Sequence, residues 1–132
     1  MPEKRTLARA RRDKRQGKSA STQAGEFVHE EMDHIRKGKH GARSTKQAIA
    51  IGLSKARRAG VKLKPPKSGS KRTQTQAKRD LNKGQSGTRR KTSAKRSRAT
   101  SNALKREGRS AASKRSLSKQ AKSAARRRKK AA

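Results

Sequence analysis

The chain of 132 residues carries 42 Lys and Arg against 8 Asp and Glu, a formal net charge of +34, and a charge of that size repels itself unless a polyanion compensates it. Leu, Ile, Val and Phe together number 12, and 20 of the apolar residues are alanine, which excludes one core spanning the whole length because so little apolar surface cannot offset the entropy of ordering. With no cysteine there is no disulfide framework or thiolate chemistry, and no apolar run nears the ~18 residues of a bilayer-spanning helix, so no membrane partner is expected.

In chain order, residues 1–20 form a basic arm. Residues 3–16 suit a short, highly charged helix closed by Gly17, marginal alone because it has no apolar stripe. From Ser21 to Gly38 a second helix is predicted, with Val28, Met32 and Ile35 at i, i+4, i+7 and Phe27 beside them. Its acids Glu26, Glu30, Glu31 and Asp33 are read mainly as a solvated face, with pairing to basic segments as the sharper alternative.

After a loop at 38–43, Ser44-Thr45-Lys46-Gln47 reads as a capping box. It opens a helix to about Ala59 with Ile49, Leu53 and Ala56 on one face. Gly60 and Val61 have the composition of a Schellman close. The two stripes predict a helical hairpin over residues 21–63. Its nine large apolar residues leave it marginal, and self-association through its apolar faces, or a nucleic-acid partner, is expected to order it.

Lys64-Pro65-Pro66 ends any helix. Residues 1–60 hold 16 basic and 6 acidic residues, whereas residues 61–132 hold 26 and 2. Residues 64–132 therefore read as a low-complexity basic tail, with weak helical patches at 75–83, 101–107 and 111–128. Like charges at i, i+4 oppose those helices, so they are expected to form only when phosphate neutralises them. Ser-x-Lys-Arg or close to it recurs at Ser70, Ser93 and Ser113, which is read as composition bias. The expected fold class is thus mostly α: a small helical hairpin followed by a largely disordered basic tail with conditional helices.

No catalytic constellation is found, and the protein is expected not to be an enzyme. His29 and His34 in His-Glu-Glu-Met-Asp-His stand five apart, about 140° around a helix, whereas two zinc ligands need a spacing of four; no metal or cofactor is expected. The phosphate-binding candidates are Lys39, Arg43 and Lys46 at the loop into the second hairpin helix, where free N–H groups and the helix end would favour an anion. An ordinary capped turn is the alternative there. Further candidates are Lys55, Arg57 and Arg58 on that helix, and Lys71, Arg72, Arg89, Arg90, Lys91, Lys95, Arg96, Arg126, Arg127, Arg128, Lys129 and Lys130 in the tail.

The segment Gly41-Ala42-Arg43-Ser44-Thr45-Lys46-Gln47-Ala48-Ile49-Ala50-Ile51-Gly52-Leu53-Ser54-Lys55-Ala56-Arg57-Arg58-Ala59-Gly60 resembles a family of small Lys/Arg-rich proteobacterial proteins with a domain of unknown function. Ser21-Thr22-Gln23-Ala24-Gly25-Glu26-Phe27-Val28 is similar to the same family, and so is the stretch from Arg109 to Arg128, more loosely. Members are variously labelled DNA-binding or plasmid-stabilisation proteins, and the resemblance implies a bacterial origin without a mechanism.

The residues themselves point to sequence-tolerant binding of nucleic acid through its phosphates. A histone-like or nucleoid-associated, cytoplasmic protein is the leading expectation, its tail drawing DNA segments together. With one aromatic side chain, stacking on unpaired bases is not provided for, so duplex DNA is favoured over RNA. The rivals are an RNA- or ribosome-associated basic protein and a protein-interaction module localised by its tail.

Overall fold

The computed structural model describes residues 2–86 and 93–131. Among them six α-helices succeed one another: α1 (Lys4–Arg15), α2 (Ala20–Arg36), α3 (Thr45–Arg58), α4 (Lys71–Gln85), α5 (Ala94–Arg106) and α6 (Lys114–Ala131), with a 3-10 turn at Ser110–Ala112 before the last. The chain divides into two compact units, Met1–Glu31 with Ala50–Lys91 and Met32–Ile49 with Thr92–Ala132.

Local sequence accounts for the helix ends. The Ser44 hydroxyl accepts from the Gln47 N–H at 3.2 Å, while the Gln47 side chain accepts from the Arg43 N–H at 2.6 Å, the reciprocal cap one residue earlier than a strict capping box. α3 closes in a Schellman motif: Gly60 at φ +106°, its N–H donating to Arg57 O and the Val61 N–H to Ala56 O.

In the first unit an apolar cluster is assembled from several helices. Phe27 is fully buried among Ala10, Ala24, Ala56 and Val61, with Leu7, Ala20, Leu53 and Leu63 packed around them. The basic arm is therefore part of the fold: α1 turns Thr6, Ala10 and Asp13 inward. On α3 the buried line runs Thr45, Ala48, Gly52, Ala56, so of the expected face Ile49, Leu53 and Ala56 only Ala56 is fully buried. The cause is close approach. A methyl on Gly52 would lie 2.7 Å from Val28 Cα, so small residues occupy the contact and the larger ones flank it half-buried.

The expectation of a largely disordered tail is overturned: α4, α5 and α6 are formed helices. Large apolar side chains are few in these helices and like charges oppose them, but they dock by other means. α4 buries Ala77 and Asp80. Asp80 accepts from Ser54 Oγ at 2.8 Å, Arg58 Nε at 2.8 Å and Gln76 Nε2 at 3.1 Å. A methyl on Gly84 would lie 1.8 Å from Arg57 O, so α4 meets the end of α3 backbone to backbone, and Gln85 Nε2 donates to Gly60 O at 3.1 Å.

The second unit uses the same economy of side chains. Ala111 and Ala112 are buried, as are Met32, Ile35, Ala42 and Ala48. Gly41 N–H donates to Leu104 O at 2.8 Å and Ala42 N–H to Gly108 O at 3.0 Å. Arg36 Nε donates to Ala112 O at 3.0 Å, and Thr45 Oγ1 to Ala111 O at 2.6 Å. Each of these bonds satisfies a backbone group that would otherwise be costly to bury.

The recurring Ser-x-Lys-Arg sequence also gains a structural role. Ser70, Ser93 and Ser113 immediately precede α4, α5 and α6. Ser70 and Ser113 accept from the N–H three residues on, at Thr73 and Ser116, which is the N-cap geometry that starts a helix.

Candidate nucleic-acid interface

The acids decide where the cations can act. Four of the eight, Asp13, Glu30, Glu31 and Asp80, are buried, all in the first unit. This corrects the reading of Glu26–Asp33 as chiefly a solvated face. Glu30 accepts from the Glu3 N–H at 2.6 Å, and fully buried Glu31 pairs with Lys55 of α3. Asp13 pairs with Lys18 at 3.3 Å and Asp80 with Arg58 at 2.8 Å.

Lys55, Arg57 and Arg58 among the sequence-derived candidates therefore have internal partners. Lys55 holds Glu31 and Arg58 holds Asp80. Arg57 is buried, donating from Nε to Leu63 O at 3.2 Å and from its terminal NH2 group to Lys64 O at 3.1 Å. Burial lowers its pKa below the usual arginine value, and the charge of Asp80 acts the other way. These bonds fix the chain as it leaves α3 toward Pro65 and Pro66.

Lys39, Arg43 and Lys46 are exposed in the second unit. The loop beside them is not an open nest of donors, since the N–H groups of Gly41, Ala42 and Arg43 are all bonded within the protein. The geometry there is that of a capped turn with cations around it. Arg89, Arg90 and Lys91 lie outside the described residues.

The remaining candidates lie exposed on the later helices: Lys71 and Arg72 on α4, Lys95 and Arg96 on α5, and Arg126, Arg127, Arg128, Lys129 and Lys130 on α6. The helices add residues that were not singled out in the sequence. On α4, Lys78 and Arg79 join Lys71 and Arg72 on the side away from Ala77 and Asp80. On α6 the exposed cations Arg115, Lys119, Lys122, Arg126 and Lys129 follow a 4-3-4-3 spacing, which confines them to an arc of about 80° along about 21 Å of helix. The opposite side, Ser116, Leu117, Gln120, Ser123 and Ala124, is half-buried. That spacing was readable from the sequence once α6 was taken to be a helix with Leu117 and Ala124 turned inward.

Charge is also distributed differently in space and along the chain. The first unit contains 22 basic and 6 acidic residues, net +16; the second contains 20 and 2, net +18. The lopsided sequence folds into two units of nearly equal charge. α5 and α6 contain no acid at all.

Phe27, the chain's one aromatic residue of the Phe, Tyr and Trp class, is fully buried. It offers no exposed platform for stacking. No helix among the described residues is long and apolar enough to cross a membrane.

Residues 5–68 match the model of a family of unknown function, DUF6496. That match supports the likeness to a domain of unknown function, begins with α1, and includes neither α5 nor α6; its description carries no DNA-binding label. No curated protein matches the chain, and no solved structure does.

Proposed function

We propose that this protein binds nucleic acid, duplex DNA foremost, through the phosphate backbone and without reading base sequence. The observation that carries the reading is the exposed cationic surface of α4, α5 and α6, set against the burial of half the chain's acids. Cations held on helices face regularly spaced phosphates, and each phosphate neutralised releases condensed counterions, adding roughly −0.9 to the slope of log K against log salt.

Duplex is favoured over single strands by the burial of Phe27, because unpaired bases are held largely by stacking on aromatic faces. Sequence tolerance follows from the residue types on α6. Its exposed cations are interspersed with Ser and Ala, with no exposed Asn or Gln to pair with an adenine edge, and cations placed on phosphates carry no sequence information. In a bacterial cell such a protein would associate with the nucleoid.

The test is competition binding of the full chain to duplex DNA, structured RNA and anionic vesicles across a salt series. Duplex DNA winning at every salt concentration, with scrambled duplexes equivalent, is the expected result. Preference for structured RNA, or for the vesicles, overturns the assignment.

A further inference from the structure

We infer that each of the two compact units engages its own duplex segment, so that one molecule bridges two stretches of duplex DNA. The inference rests on the phosphate-binding reading and adds a valency to it.

Three observations carry it. The first is the charge balance of +16 and +18 between the units. Neither unit is a neutral scaffold for a basic partner.

The second is that a Ser-Lys-Arg helix start occurs once in each unit. Ser70-Lys71-Arg72-Thr73 opens α4 in the first, and Ser113-Lys114-Arg115-Ser116 opens α6 in the second. In both, the capping serine accepts the N–H of the residue three on, at 3.2 and 3.1 Å, and the two hydroxyls of the cap hydrogen-bond at 2.8 and 3.0 Å. Each cap sets going a helix whose exposed side is cationic, so each unit has a phosphate-facing element of its own.

The third is magnitude. A compact unit of this size has a radius of gyration of about 11 Å and so a breadth of about 28 Å. A duplex segment of that length carries about 16 phosphate charges, at one per ~1.7 Å. One segment therefore matches the charge of one unit. When the first unit is occupied, the second retains nearly its whole charge for another segment, which on the same DNA molecule it meets at high effective concentration.

The experiment tethers one duplex to beads and measures capture of a second, labelled duplex at low salt by the full-length protein. Two variants are compared with it. One replaces Lys71, Arg72, Lys78 and Arg79 on α4 by Gln, and the other replaces Arg115, Lys119, Lys122, Arg126 and Lys129 on α6 by Gln. All nine positions are exposed, and Gln has nearly the helix propensity of Lys and Arg; circular dichroism verifies that each variant keeps its helix.

The wild type should capture the second duplex. Each variant should still bind the tethered one through its unaltered unit, with a salt slope close to that of the wild type. Capture of the second duplex should fall about tenfold or more in each. An equimolar mixture of the two variants should not restore it.

Capture at wild-type level by either variant overturns the inference, and so does rescue by the mixture, which would place bridging in an assembly of copies. A wild type that binds the tethered duplex but captures no second one also overturns it, since both units then serve one segment. Failure of the wild type to bind the tethered duplex is a separate readout that removes the proposed function itself.

Discussion

Arg58 Nε donates to Asp80 Oδ1 at 2.8 Å, and this bond ties the family-matched segment to the first helix beyond it. Asp80 is nearly inaccessible, while the Arg58 side chain is 46% exposed. The carboxylate is thus the fixed member of the pair, and it also receives Ser54 and Gln76.

Asp80→Ala should therefore destabilise the first unit by about 2–3 kcal/mol. That is less than the ~3–5 kcal/mol for breaking a fully buried pair, because half-exposed Arg58 regains water. Urea unfolding gives the value, and limited proteolysis should cut within α4 sooner than in the wild type. An unchanged midpoint would mean that α4 is not held through Asp80.

Gly84→Ala sets two effects against each other. Alanine is favoured over glycine in a helix by about 0.8–1 kcal/mol, but its methyl would meet Arg57 O at 1.8 Å, and overpacking costs about 1–3 kcal/mol. Net destabilisation is expected. Gly25→Ala in α2, with nothing within 4 Å of the added carbon, should instead stabilise by about 0.5–1 kcal/mol. Thermal melts of both variants check the contrast, and matching shifts would refute the docked position of α4.

Thr45→Val removes the hydroxyl that donates to Ala111 O at 2.6 Å while keeping the shape of the buried side chain. A loss of about 1–2 kcal/mol is expected, with the carbonyl left unsatisfied. Hydrogen exchange should quicken around residues 110–117. Unaltered protection there would show that the turn before α6 does not depend on Thr45.

Much of the local structure was legible before folding. Ser44 with Gln47 and Gly60 with Val61 marked the ends of α3, because caps are read from adjacent residues. The order of α4–α6 was not legible from a count of large apolar residues. Ala77, Ala111, Ala112, Gly84 and Gly41 contribute through close backbone approach, and that depends on what lies opposite them in space. Nothing adjacent in the sequence marks Asp80 as structural; its role follows from Ser54 and Arg58, more than twenty residues away. The same holds for the candidate site. Exposed cations on α4 and α6 could be proposed from composition and spacing, but the internal use of Lys55, Arg57 and Arg58 could not, since their partners Glu31, Leu63, Lys64 and Asp80 are set by tertiary contacts.

Arg57→Gln separates a folding role from a binding role. Arg57 is buried on Leu63 O and Lys64 O, so the variant should lose about 1–3 kcal/mol of stability while the salt slope of DNA binding stays within about one unit of wild type. A Lys122→Gln, Arg126→Gln double variant should do the reverse, with stability retained and the salt slope of second-duplex capture shallower by about 1.8. Paired denaturation and binding titrations distinguish the two.

The most direct measurement of the central claim is the affinity of the full chain for a duplex of arbitrary sequence as salt is raised from about 50 to about 200 mM. With some ten cations engaged, log K should fall linearly with log salt at a slope near −9, a loss of about five orders of magnitude, and identically for unrelated sequences. A salt-independent affinity, or one that depends on the base sequence rather than on the salt, would contradict the account.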